Sequence, residues 1–107
     1  MIELDQLSHR DFKNTISKGV SIVDFKTPWS APCRAQELII AELGKAYQGR
    51  ATVATVNIDQ SREIALNLEI QSIPTTIIFK DAIEVKRFVG LQTAETLNRA
   101  IKSLLAV

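Results

Sequence analysis

The chain has 107 residues, of which 46% are hydrophobic and 23% are charged, so we expect a single folded domain spanning residues 1–107. Its 13 basic and 12 acidic residues give a net charge of +1, which argues against a nucleic-acid partner or an anionic membrane surface. The single cysteine excludes an intramolecular disulfide, so packing must stabilise the fold.

The N-terminal sequence does not resemble an export signal. Residues 1–5 lack the basic start and the apolar core of a signal peptide. The longest apolar run in the sequence is also much shorter than the about 18 residues that a membrane span needs. We therefore expect a cytoplasmic protein that has no membrane partner.

Hydrophobic periodicity predicts an alternation of helices and strands. Apolar residues three or four positions apart mark the helices, and short β-branched runs mark strands that are buried on both faces. Ser8, Ser61 and Thr93 are the expected N-caps of three of the helices. The predicted elements are a helix over residues 7–16, a strand over 20–25, a helix over 33–47, a strand over 51–58, a short helix after 61, strands over 75–79 and 83–89, and a last helix after 93.

Two of these elements carry more detailed expectations. The second helix has its predicted apolar face at Ile39, Leu43, Ala46 and Tyr47. Asp81-Ala82 forms a tight turn between the last two strands, which predicts an antiparallel hairpin. Strands that alternate with helices and end in a hairpin and a helix indicate an α/β domain around one mixed sheet.

The segment Trp29-Ser30-Ala31-Pro32-Cys33-Arg34 has the pattern of a redox site that lacks one sulfur. Two cysteines separated by two residues can close a small disulfide and exchange it with a substrate. Ser30 occupies the first of these two positions, and Cys33 is the only cysteine. The chain as written cannot complete this chemistry within itself.

Three further features stand in order around this segment. Asp24 lies near the end of the preceding strand, Ile73-Pro74-Thr75 follows about forty residues downstream, and Val89-Gly90 ends the hairpin. This order and spacing resemble the thioredoxin family over nearly the whole chain. The family's signature is Trp-Cys-Gly-Pro-Cys, and the chain differs from it at the first cysteine and at the glycine.

The resemblance implies a thioredoxin fold, with a central five-stranded mixed sheet flanked by four helices. It also implies roles for residues at matching positions. Ser30 stands where the attacking cysteine would be, Cys33 matches the resolving cysteine, and Asp24 matches a buried carboxylate that relays protons. The residues that the resemblance assigns to substrate binding are Trp29, Pro32, Ile73, Pro74 and Gly90, with Pro74 in the cis form.

The same resemblance implies the partners. We expect protein substrates that contain disulfides, a thioredoxin reductase that recycles the enzyme, no bound cofactor and a monomeric state. The sequence shows no Cys/His cluster that would support a zinc site, so we expect no metal.

Ser30 changes what this scheme can do. A serine hydroxyl is a poor nucleophile without a base, and it cannot form the sulfur–sulfur bond that exchange requires. We therefore expect the chain as written to be inactive or severely impaired as a thiol-disulfide oxidoreductase. The sequence leaves three interpretations open: a cysteine-to-serine form of a disulfide reductase, a natural redox-inactive module that binds proteins, and a monothiol exchanger acting through Cys33.

Two residues near the predicted site depart from the family's pattern. Lys26 replaces an aromatic residue, and Thr55 stands where many relatives have a lysine that pairs with the buried acid. Without that lysine, Asp24 is expected to lack a cationic partner. Burial should then raise the pKa of the Asp24 carboxyl, because it disfavours the charged form.

Overall fold

The computed structural model describes residues 1–3 and 9–106, which form five strands and four helices. The predicted helix start at Leu7 and its cap Ser8 lie outside the described residues. The elements in chain order are β1 (Ile2–Glu3), α1 (His9–Thr15), β2 (Val20–Lys26), α2 (Ala31–Ala46), β3 (Thr52–Asn57), α3 (Arg62–Asn67), β4 (Thr75–Lys80), β5 (Ile83–Val89) and α4 (Ala94–Leu105).

The five strands form one mixed sheet in the order β1-β3-β2-β4-β5. Strands β1, β3 and β2 run parallel, whereas β4 is antiparallel to both β2 and β5. This confirms the predicted α/β fold with a five-stranded mixed sheet. Every residue of β2 is buried, as the β-branched run predicts for a central strand covered on both faces.

Helices cover both faces of the sheet and divide the core in two. On one face, Phe12 of α1 packs its ring against Phe25 and Phe79, with ring centroids 6.2 and 5.9 Å apart. On the other face, Ile40 of α2 and Ile101 of α4 belong to a second buried cluster. Within the described part of the chain, no helix is long and apolar enough to cross a membrane.

The ends of the helices follow local signals, with one correction. Thr93 caps α4, since its hydroxyl accepts a hydrogen bond from the Thr96 backbone N–H at 3.1 Å. Ser61 is the N-cap residue of α3, as predicted, but its side chain accepts no capping hydrogen bond. Helix α2 begins at Ala31, two residues before the predicted start, because a proline such as Pro32 is tolerated in the first turn of a helix.

The buried face of α2 agrees with the prediction in part, since Leu43 and Tyr47 are buried and Ile39 is half-buried. The buried residues are Cys33, Gln36, Ile40 and Leu43, whereas Ala46 is exposed. Asp81 and Ala82 both have positive φ values, 50° and 72°, which matches a two-residue hairpin turn. Strand β1 was not predicted, because two residues are too few to show the alternation of apolar and polar side chains that indicates a strand.

Candidate active site

One edge of the sheet brings the predicted site residues together. Helix α2 begins soon after β2 ends at this edge, and Phe25 of β2 pairs with Thr75, the first residue of β4. Thr75 also pairs with Val89 at the end of β5. The backbone N–H of Gly90 donates a hydrogen bond to the Pro74 carbonyl at 2.8 Å. The segment around Ser30 and the residues Pro74 and Gly90 therefore lie at the same edge.

Ser30 is the N-cap of α2. Its backbone is extended, with φ −91° and ψ 126°, and its hydroxyl oxygen accepts a hydrogen bond from the Cys33 backbone N–H at 3.4 Å. The free N–H groups and the dipole at a helix N-terminus favour negative charge, so a thiolate at this position would be stabilised. In this chain a neutral hydroxyl occupies that position and satisfies a helix N–H instead.

Cys33 lies in the first turn of α2 and is buried, with 1% of its surface exposed. A thiol exchanges with a disulfide only when its sulfur is accessible and ionised. The burial of Cys33 therefore argues against the monothiol interpretation.

Asp24 is a buried acid in the middle of the sheet. Both of its carboxyl oxygens lack a hydrogen-bond partner among the described residues. Its neighbours in the adjacent strands are Thr55 and Thr76. Burial raises the pKa of Asp24 from 3.8 to about 7; the positive charge of Lys26 opposes this rise, and the negative charge of Glu37 adds to it. The carboxyl can therefore bind or release a proton near neutral pH.

Lys26 acts on Asp24 through its positive charge without pairing with it. Side chains alternate along a strand, so Lys26 is on the same face of β2 as Asp24. It is 7% exposed, and its Nζ atom forms an ion pair with Oε1 of Glu37 in α2 at 3.3 Å. As predicted, Asp24 has no ion-pair partner among the described residues; the charge of Lys26, two residues along the same strand, only opposes the rise of its pKa. The predicted direction of the Asp24 pKa shift is confirmed, because burial outweighs that charge.

Trp29 presents a large apolar ring at this edge, with 70% of its surface exposed. Its indole Nε1–H donates a hydrogen bond to Oδ2 of Asp59, which follows β3, at 3.1 Å. Sequence reasoning missed Asp59, although an acid just past a buried strand would reach this edge. Among the other predicted substrate-binding residues, Pro32 is exposed and Ile73 is half-buried, and the Ile73–Pro74 peptide bond is cis.

Gln36 is a second residue that sequence reasoning missed. It lies three residues after Cys33 in α2 and is fully buried, with 0% of its surface exposed. Its Oε1 accepts a hydrogen bond from the Gln92 backbone N–H at 2.7 Å, and its Nε2 donates one to the Gln92 carbonyl at 3.1 Å. The sequence signal that could have indicated its burial is its position on the same helix face as the apolar residues Cys33 and Ile40.

The described residues contain no group of three or more His, Cys, Asp or Glu side chains that could hold a metal ion. The groups with chemical potential at this edge are one buried thiol, one buried carboxyl with a raised pKa, and the exposed surface beside them.

Comparison with known proteins gives a consistent result. The sequence model of the family described as Thioredoxin matches residues 3–103. A thioredoxin from Staphylococcus aureus is 35% identical over 96 residues, which cover 90% of this chain and 92% of that protein. One from Staphylococcus saprophyticus is 34% identical over 97 residues, covering 91% and 93%. The structure of a mutant thioredoxin from Halobacterium salinarum superposes with a TM-score of 0.89 at 25% identity, covering 99% of this chain and 91% of that one.

Proposed function

Because the chain belongs to the thioredoxin family, we propose that its two-cysteine form, with cysteine in place of Ser30, is a protein-disulfide reductase that works by dithiol–disulfide exchange. The observation that carries this proposal is that Ser30, Cys33 and Pro74 lie at the same edge of the sheet. The buried carboxyl of Asp24 belongs to β2, the strand that leads to this edge.

The proposed reaction has two steps. A thiolate at position 30 attacks one sulfur of a substrate disulfide, which forms a mixed disulfide and releases the other substrate sulfur as a thiolate. Cys33 then gives its proton to the Asp24 carboxylate and attacks the sulfur at position 30. This closes a disulfide between positions 30 and 33 and releases the second substrate sulfur as a thiolate, while the proton is held by Asp24. The substrate gains two electrons, and the enzyme loses two.

In the chain as written, the first step has no sulfur to begin it. The Ser30 oxygen accepts a helix N–H bond, and it cannot form a bond to sulfur that a second thiol would resolve. We therefore propose that this chain is inactive in turnover. The alternative is a redox-inactive module that binds proteins, and the exposed Trp29 ring beside a capped helix favours that second candidate.

The proposal extends to partners and location. Substrates are proteins with accessible disulfides, docked on Trp29, Pro32, Ile73, Pro74 and Gly90. A thioredoxin reductase returns the oxidised two-cysteine form to the dithiol. We propose a monomer in the cytoplasm, where a single unpaired cysteine stays reduced.

Insulin reduction in the presence of dithiothreitol tests the proposal. We expect Ser30→Cys to accelerate the reduction, whereas the unmodified chain and Ser30→Ala match dithiothreitol alone. The control Ser30→Cys/Cys33→Ala keeps the attacking sulfur but leaves resolution of the mixed disulfide to dithiothreitol, so it should be slower than Ser30→Cys. Activity in none of the variants would reject the reductase and favour the binding module, and turnover by the unmodified chain would contradict its proposed inactivity.

A further inference from the structure

Gln36 joins two segments that are 56 residues apart in the chain. Both polar atoms of its buried amide bond to the backbone of Gln92, one as acceptor and one as donor. A buried amide is costly unless it is hydrogen-bonded, and here one residue of a loop satisfies both of its polar atoms. The contact is therefore a two-point clamp between α2 and the loop of residues 90–92.

The hydrogen bonds continue from this clamp to the edge of the sheet. The side-chain Nε2 of Gln92 donates to the Gly90 carbonyl at 3.3 Å, and the Gly90 N–H donates to the Pro74 carbonyl at 2.8 Å. The helix that carries Cys33 is thus connected through Gln92 and Gly90 to Pro74.

The clamp also determines what the loop presents to solvent. Leu91 lies between two residues of this network, and 51% of its surface is exposed. Exposed apolar side chains are common on protein surfaces, and the hydrogen bonds of Gly90 and Gln92 on either side of Leu91 fix where its side chain is presented. This position is at the edge that also carries Trp29.

We propose that Gln36 is a positioning residue for partner docking: it holds the loop of residues 90–92, and through it Pro74, at a fixed place relative to the N-terminus of α2. The inference rests on the proposed reductase function, and it assigns to Gln36 a part in binding the substrate rather than in the exchange of sulfurs. The partner it serves is a protein segment with a disulfide and apolar neighbours.

Amide hydrogen exchange measured by NMR tests the clamp in the chain as written. Gln36→Met keeps a side chain of similar size and removes both hydrogen bonds. We expect the Gln92 amide to exchange about tenfold faster or more, relative to the amides of Leu97 and Ile101 in the core helix α4. Gln48→Met, an exposed change in the turn after α2, should leave the Gln92 amide unchanged.

Insulin reduction tests the role in docking, on the background of Ser30→Cys. Adding Gln36→Met should raise the KM for insulin about tenfold and leave kcat within about twofold, because docking weakens while the sulfurs are untouched. Ile101→Val is the control for stability, since it destabilises the core away from the loop and should not change KM. Gln92→Ala removes only the bond to Gly90 and should raise KM by a smaller factor.

The outcomes separate the two proposals. An active Ser30→Cys enzyme whose KM is unchanged by Gln36→Met and by Gln92→Ala overturns the positioning role and leaves the reductase in place. An inactive Ser30→Cys enzyme overturns both. A KM that rises equally in Gln36→Met and in Ile101→Val shows general destabilisation and also overturns the inference.

Discussion

Asp24→Asn removes a buried carboxyl whose pKa burial raises from 3.8 to about 7. The folded protein therefore holds this proton more tightly than the unfolded chain, in which the carboxyl has a pKa of about 3.9. Stability contributed by the bound proton is fully present below the unfolded pKa and is lost as pH rises through the folded pKa. The free energy of unfolding should thus fall between about pH 4 and pH 7 and level off above.

The magnitude follows from the difference between the two pKa values. Each pKa unit corresponds to about 1.36 kcal/mol, so a difference of about 3 units amounts to ~4 kcal/mol over the full range. Between pH 5 and pH 8, where other carboxyls change little, the Asp24 share is about 2.5 kcal/mol. This is a large part of the about 5–15 kcal/mol that stabilises a typical domain.

Urea unfolding at pH 5, 6, 7 and 8 measures the effect in the unmodified chain and in Asp24→Asn. The difference between the two free energies of unfolding cancels the other titrating groups. It should change by about 2.5 kcal/mol across this range, with the variant the more favoured at pH 8. Glu42→Gln, an exposed change on α2, is the matched control and should run parallel to the unmodified chain. Parallel curves for Asp24→Asn would refute the reasoning.

Three other predictions concern the cap of α2, the charges around Asp24 and the core at α4. Ser30→Ala removes the hydroxyl that accepts a helix N–H and should lower the free energy of unfolding in urea by about 0.5–1 kcal/mol. Lys26→Met should raise the pKa of Asp24 further, and Glu37→Gln should lower it, because their charges act on that carboxyl in opposite directions; a carboxyl ¹³C NMR titration measures both. Ile101→Ala empties a fully buried position in α4 and should cost about 2–5 kcal/mol by urea unfolding.

Two of these predictions have a control variant, and the prediction about charges has an outcome that would contradict it. Ser30→Asp can accept the same N–H bond, so its stability should remain close to that of the unmodified chain, and a loss equal to that of Ser30→Ala would contradict the capping role. Shifts of the Asp24 pKa in the same direction for Lys26→Met and Glu37→Gln would contradict the proposed charges. Leu66→Ala, an exposed change on α3, should alter stability by less than about 0.5 kcal/mol.

Local sequence signals predicted most of the secondary structure. The hairpin strand expected over residues 83–89 has those bounds, and the strand expected over 20–25 is one residue longer. Thr93 caps α4 as its residue type suggests. These signals can be read from the sequence because they are local: a cap or a hydrophobic period involves residues only a few positions apart.

The same signals misjudged part of the buried face of α2. Periodicity favoured Ala46, whereas the structure buries Gln36. An amide is buried readily when its hydrogen bonds are made, and the group that makes them, the backbone of Gln92, is 56 residues away. The residues near Gln36 in the sequence therefore do not indicate its hydrogen-bond partner.

The amino-acid sequence alone determines that this chain cannot close an internal disulfide, because it has one cysteine and Ser30 stands at the other redox position. The ordered motifs of the sequence were also enough to indicate the family. The environment of Asp24, the ion pair of Lys26 with Glu37 and the clamp at Gln36 became visible only in the folded chain. They depend on burial and on pairs separated by 11 to 56 residues, which meet only when strands and helices have packed.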